Sequence, residues 1–187
     1  MPLVFPSLIE SSRLCLRQVS ESDLPDMLAL NGDAEVVKYL GYSPWQGMEQ
    51  AEAWWKRVSA QVTAGTALEL VIVLKETGHV IGRCGLFEYE KADAHASLGY
   101  ILARPRWRQG YMREALAALI AHSFQEMGLR RIEARAEAEN VASTGLLKSL
   151  GFTPEGVLRE RWITDGKPMD AHVFGLLQSE CENISRS

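Results

Sequence analysis

The chain of 187 residues predicts an α/β fold of the α+β kind: a mixed, mostly antiparallel central sheet of about seven strands, flanked by helices on both faces. Three observations predict it. Apolar residues alternate with period two in several short segments, as in strands with one buried face. Two neighbouring pairs of these segments are joined by short turn signals, which suits antiparallel strands. The helical segments between them carry an apolar stripe of period 3.6, which needs a sheet to pack on.

Arg13-Leu14-Cys15-Leu16-Arg17 alternates as a half-buried first strand. Ser20 can cap a helix, with Asp23 at the capping-box position and Leu24, Met27, Leu28 and Leu30 as its buried stripe, ended by Asn31-Gly32. A second helix spans Glu49 to Ala64, with Ala51, Trp54, Trp55 and Val58 at helical spacing and Gly65 as its stop. Leu68 to Leu74 and Val80 to Glu90 form an antiparallel pair across Glu76-Thr77-Gly78-His79, and Ser97 to Ala103 is the next strand. From Met112 to Met127 the positions Ala115, Leu116, Leu119, Ile120 and Phe124 mark a long helix stopped by Gly128. Arg131 to Ala136 is a strand, Ala142 to Leu150 a short helix, and Phe152 to Trp162 with Met169 to Leu177 a closing hairpin across Asp165-Gly166. No repeat or linker interrupts this order, so residues 1–187 are expected to form one domain.

Composition narrows the class. A chain this long can bury about two thirds of its unfolded surface. Its 47% hydrophobic and 24% charged residues are those of a soluble globular protein, and no apolar run approaches the ~20 residues of a membrane span. Met1 to Ile9 is apolar but short and lacks a basic start, so it is not expected to be a secretory leader. Cys15, Cys84 and Cys181 are odd in number and widely spaced, which fits neither a disulfide framework nor a metal knuckle and points to a reducing cytoplasm. His79, His95, His122 and His172 show no ligand spacing, and no metal is expected. A net charge of −4 argues against nucleic acid as a partner.

Against that acidic background, Trp107-Arg108-Gln109-Gly110-Tyr111-Met112-Arg113 concentrates positive charge where a strand runs into the long helix. Arg104 and Arg106 lie just before it. The first N–H groups of a helix lack intrahelical partners and sit at its positive end, so a bound anion satisfies both. Gly110 has no Cβ to hold a phosphate off those amides. Further along, Asn140-Val141-Ala142-Ser143 opens the short helix that follows the next strand.

Together, the two motifs and the order of elements resemble the GNAT superfamily of acyl-CoA-dependent N-acyltransferases, over essentially the whole chain. Within it they resemble the Rim-type branch, the ribosomal-protein-alanine N-acetyltransferases. The resemblance implies acetyl-CoA as cosubstrate, held at Arg108, Gln109, Gly110, Tyr111, Met112 and Arg113 through its diphosphate. The pantetheine arm would lie along the strand edge at Ile101 and Leu102, with Asn140 as a further contact. The family pattern is Arg or Gln, two residues, Gly, one residue, then Gly or Ala. With its glycine at Gly110, Trp107 and Met112 depart from the first and last positions.

The family's Tyr acid, seven residues after the Asn, is replaced here by Leu147. The Rim-type acid is a Ser three residues after the Asn, which is Ser143. Many relatives place a Glu base where this chain has Ser97, so Glu88 or Glu90 on the preceding strand is the substitute, with Glu88 the first choice. The same residues also suit purely local roles: Asn140 as a helix cap, Ser143 as a first-turn residue, and the glutamates as exposed strand positions. Tyr39, Tyr42, Trp45, Trp54 and Trp55 fall in the two-helix region that walls the acceptor cleft in the family, although core packing also accounts for them.

The expected activity is acetyl transfer by direct attack of a primary amine, either a protein N-terminal α-amine or a small-molecule amine. No membrane is involved, and relatives that pair make a homodimer an expectation of the resemblance. The missing Tyr and strand Glu leave a non-catalytic acyl-CoA-binding module as the alternative. A nucleotide-binding domain fits less well, because GxGxxG and GxxxxGK[ST] are both absent.

Overall fold

The computed structural model describes residues 8–164 and 166–181. Along them run β1 (Leu8–Glu10), β2 (Leu14–Gln18), α1 (Leu24–Gly32), α2 (Ala34–Val37), α3 (Met48–Thr63), β3 (Leu68–Leu74), β4 (Val80–Glu90), β5 (His95–Leu102), α4 (Tyr111–Gln125), β6 (Arg131–Glu137), α5 (Val141–Ser149), β7 (Thr153–Thr164), β8 (Lys167–Leu177) and α6 (Gln178–Cys181). The strands form one sheet in the order β1-β2-β3-β4-β5-β6-β8-β7. Among the described strands only the β5–β6 pair is parallel.

Among the described residues there are eight strands, one more than the seven expected. The addition, β1, pairs antiparallel with β2 from Leu8↔Arg17 to Glu10↔Cys15, and three residues are too few for an alternation to show. The short α2 is likewise additional, with the Asp33 side chain accepting from the Glu35 N–H at its start. Residues 1–7, on which most of the leader reading rested, and Asp165 of the expected turn lie outside the described residues.

Helices cover both faces because the sheet buries both. On one face Leu116, Leu119 and Phe124 of α4 and Leu147 of α5 pack with Ile132 and Phe174. On the other, Met27 of α1 and Trp54 and Val58 of α3 pack with Val71 and Ile101. Trp45 joins this second layer with its ring centroid 6.1 Å from that of Trp54. Asn31, expected to end α1, is buried within it and ties it to the following loop: its side chain donates to the Met27 carbonyl and accepts from the Tyr42 hydroxyl. No described helix is long and apolar enough to cross a membrane.

β5 and β6 pair from His95↔Arg131 to Leu98↔Ala134 and no further. Beyond that point β5 stays paired with β4 as far as Gly82↔Leu102, and β6 with β8 as far as Glu137↔Ala171. Each strand is thus held by its outer neighbour while the inner ladder ends, which opens a wedge in the middle of the sheet.

The entry to α1 is fixed electrostatically. A 3₁₀ turn, Glu21–Asp23, precedes the helix. The buried Asp23 carboxylate receives two hydrogen bonds of 2.7 Å from Arg17, one of 2.8 Å from the Ser20 N–H and one of 2.9 Å from its hydroxyl. Burial pushes the Asp23 pKa up, but the Arg17 and Ser20 donors outweigh it and hold the carboxyl below its ordinary value. Asp23→Asn is therefore expected to destabilise the protein by about 1–3 kcal/mol at pH 7. Because the native pKa is depressed, that difference is complete above about pH 3.9 and vanishes as pH falls through the native value, which urea melts at neutral and acid pH will show.

Candidate active site

The wedge opens into a cavity of ≈ 1050 Å³ that runs from the α4 N-terminus past Ser143 to Glu88 and α2. Main-chain polarity in it follows from the strand register. The Ala103 N–H donates to the Ile81 carbonyl, so in the alternating antiparallel ladder Ile101 also turns its N–H and C=O toward β4. Tyr100 and Leu102 turn theirs toward the wedge. The Leu102 carbonyl accepts from the Trp107 indole at 2.7 Å, and its N–H remains directed at the opening. Of the two strand residues singled out from the sequence, Leu102 thus presents a main-chain donor to the wedge. Ile101 instead contributes a buried side chain to the α1–α3 core.

The turn before α4 has two left-handed residues, Arg108 at φ 59 and Gly110 at φ 78. Gly110 is the N-cap, and the first intrahelical bond runs from the Glu114 N–H to its carbonyl at 3.0 Å. The Tyr111, Met112 and Arg113 N–H groups therefore stand free of intrahelical partners at the positive end of a 15-residue helix. Met112, which departs from the small residue of the family pattern, turns its side chain into the core at 7% exposure and leaves the helix mouth clear. Arg108 and Arg113 are exposed and line the cavity. The Gln109 side chain points back into the turn, donating to the Pro105 carbonyl at 2.9 Å.

A clamp that the sequence did not reveal holds this turn to β2. Glu114 accepts from the Arg13 N–H at 2.7 Å, the Arg13 guanidinium at 2.6 Å and the Ser11 hydroxyl at 2.7 Å. Arg13 also donates to the Gln109 carbonyl and lies 4.3 Å over the Tyr111 ring. Burial opposes ionisation of Glu114, yet the Arg13 and Ser11 donors prevail and lower its pKa. With the partners 101 positions apart in sequence, no local pattern marks the pair.

Across the wedge, the Asn140 side chain caps α5, accepting from the Ser143 N–H at 3.1 Å. This is the local role open to it from sequence, and it also holds the Ser143 backbone at the wedge. That hydroxyl lies 2.8 Å from the Tyr100 hydroxyl. Burial pushes the Tyr100 pKa up to about 12, opposed by its Ser143 hydrogen bond, so the phenol stays protonated at neutral pH. Sequence reasoning passed over Tyr100, although it adjoins Ile101 and Leu102 on the strand expected to line the pantetheine arm.

At the far end of the cavity, a bulge in β4 puts Glu88 at φ 51, and the register with β5 shifts between Phe87 and Glu90. Glu88 thereby reaches across to Ser97, whose hydroxyl donates to it at 2.9 Å. Arg135 of β6 stands 3.4 Å from the same carboxylate. A carboxylate from the neighbouring strand thus lies beside position 97. Glu90 is exposed and accepts from the Ala92 N–H in the following turn, away from the cavity lining. Of the aromatic residues in the two-helix region, Tyr39 lines the cavity, whereas Trp54 is buried in the core.

A wedge between parallel strands, with a clamped helix N-terminus at one end and a carboxylate at the other, is the layout of a site for a long, anionic acyl carrier. The model of the acetyltransferase (GNAT) domain matches residues 13–153, and the chain belongs to that family. It is an acetyl-CoA-dependent N-acetyltransferase. The uncharacterized N-acetyltransferase p20 of Bacillus licheniformis is 35% identical over 170 residues, 91% of this chain and 96% of its own. The uS5 ribosomal-protein alanine N-acetyltransferase of Escherichia coli is 30% identical over 114 residues, 60% of this chain and 58% of its own. Among solved structures, the spermidine N-acetyltransferase of Vibrio cholerae, in complex with CoA and spermine, shares the fold with a TM-score of 0.83 at 23% identity, covering 92% of this chain and 100% of its own.

Gly110→Ala places a Cβ at φ 78, where the nearest atom is the Arg13 guanidinium at 3.5 Å, so conformational strain outweighs any clash. The left-handed conformation costs about 1–2 kcal/mol in an L-residue, and relaxation of the turn to escape it misaligns the free N–H groups. Calorimetry is expected to show CoA affinity reduced by roughly tenfold.

Proposed function

We propose that this protein, a single acetyltransferase domain, transfers the acetyl group of acetyl-CoA directly to a primary amine in a ternary complex. The single observation that carries the reading is the wedge beyond Leu98↔Ala134, which runs from the free N–H groups of α4 to Ser143. The amides of Tyr111 to Arg113, with Arg108, would hold the diphosphate, and the Leu102 N–H faces the position of the arm and the developing oxyanion.

Glu88 takes a proton from the attacking ammonium and releases it to solvent. The amine nitrogen then bonds to the thioester carbonyl carbon, the C–S bond breaks, Ser143 gives its hydroxyl proton to the departing thiolate, and the surplus proton lost by the new amide nitrogen passes through solvent to restore the serine hydroxyl. Asn140 acts through its cap on the Ser143 N–H. The acceptor proposed is a small-molecule amine, supported by the fold shared with a spermidine N-acetyltransferase along 92% of the chain, whereas the uS5-alanine relative aligns over 60%. Membership of the Rim-type branch, with a protein N-terminus as acceptor, is the second reading, and Ser143 at the Rim-type position supports it.

Purified protein mixed with acetyl-CoA and a panel of small amines and N-terminal peptides is expected to release free thiol only when an amine is present. CoA binding without amine-dependent release across the panel would instead identify an acyl-CoA-binding module. Ser143→Ala is expected to lower kcat by roughly 10²–10⁴ with the KM for acetyl-CoA little changed. Glu88→Gln should slow transfer to an alkylamine at pH 7, and the deficit should shrink as pH approaches the amine's own pKa, about 10, where no base is needed. A deficit that stays constant across that range would remove Glu88 from the role of base.

A further inference from the structure

We infer that Tyr100 is a positioning residue for the transfer: its phenol donates to Ser143 Oγ and so directs the serine's own hydrogen into the wedge. The inference rests on Ser143 being the acid.

Either hydroxyl could donate across the 2.8 Å that separates them. The surroundings select one direction. The Ser143 backbone is held through its N–H to Asn140 at the start of α5, which keeps the residue facing Tyr100, and the contact of its Oγ is with the Tyr100 hydroxyl. Tyr100 lies on the wedge side of β5, past the last β5–β6 pair, with its ring packed against the α4–α5 core. Among the described residues, Ser143 is the one hydrogen-bond partner of the Tyr100 hydroxyl. A phenol is far more acidic than an alcohol and is the better donor of the two. Burial keeps it protonated well above neutral pH, so donation persists throughout the working range. If Ser143 donated instead, its proton would point at the phenol and away from a departing sulfur.

The opposite arrangement would make Tyr100 a packing residue whose hydroxyl happens to find a neighbour. Tyr100→Phe separates the two, because it keeps the ring and removes only the donor. The expected result is a fall in kcat of about tenfold, the value of one lost hydrogen bond, with the KM for acetyl-CoA and the calorimetric affinity for CoA little changed. In the Ser143→Ala background the same substitution should cost nothing further, since there is then no hydroxyl to orient.

A Tyr100→Phe protein with wild-type kcat, while Ser143→Ala is impaired, overturns the inference and leaves the acid assignment standing. A loss as large in the Ser143→Ala background as in the wild type also overturns it, since the phenol would then act independently. A Ser143→Ala protein with wild-type kcat overturns the acid assignment, and the inference falls with it.

Discussion

The interaction on which the remainder depends is one that stops. The parallel ladder between β5 and β6 ends at Leu98↔Ala134, while the antiparallel ladders on either side continue. Unpaired main-chain groups in the middle of a sheet are costly unless something satisfies them. Here they are retained because β4 and β8 hold the two strands rigidly apart. The elements that follow the wedge strands, α4 after β5 and α5 after β6, then start at its mouth. Their N-termini bring the free N–H groups of α4 and the Ser143 hydroxyl to the same opening.

Charge is distributed in the same spirit. The chain is acidic overall, yet Arg104, Arg106, Arg108 and Arg113 gather around the start of α4. The acidic residue nearest that helix mouth, Glu114, is committed to Arg13 and Ser11, so it steadies the turn instead of opposing an anion. Glu88, by contrast, is held loosely, with one hydrogen bond from Ser97 and a longer ion contact to Arg135.

How much of this was legible from the residues follows from the range of each interaction. Strand and helix periods, and the stops at Gly65 and Gly128, are local, and they placed the main elements. The Gly110 turn was readable for the same reason, since a left-handed N-cap is a property of one residue. What escaped was non-local or brief. The strand Leu8–Glu10 is too short to alternate, the Arg13–Glu114 clamp joins distant segments, and the Tyr100–Ser143 pair exists only because β5 and α5 meet across the wedge. The bulge that aims Glu88 at Ser97 was equally invisible, because no Gly or Pro announces it. The residues at that end of the cavity were identified by type, and their geometry came only from the fold.

Trp107 carries a further consequence. By occupying one acceptor position of the Leu102 carbonyl, its indole biases that point of the wedge toward giving a hydrogen over accepting one. A ligand carbonyl brought opposite Leu102 would meet a free donor there, whereas a ligand N–H would meet an oxygen already partly engaged.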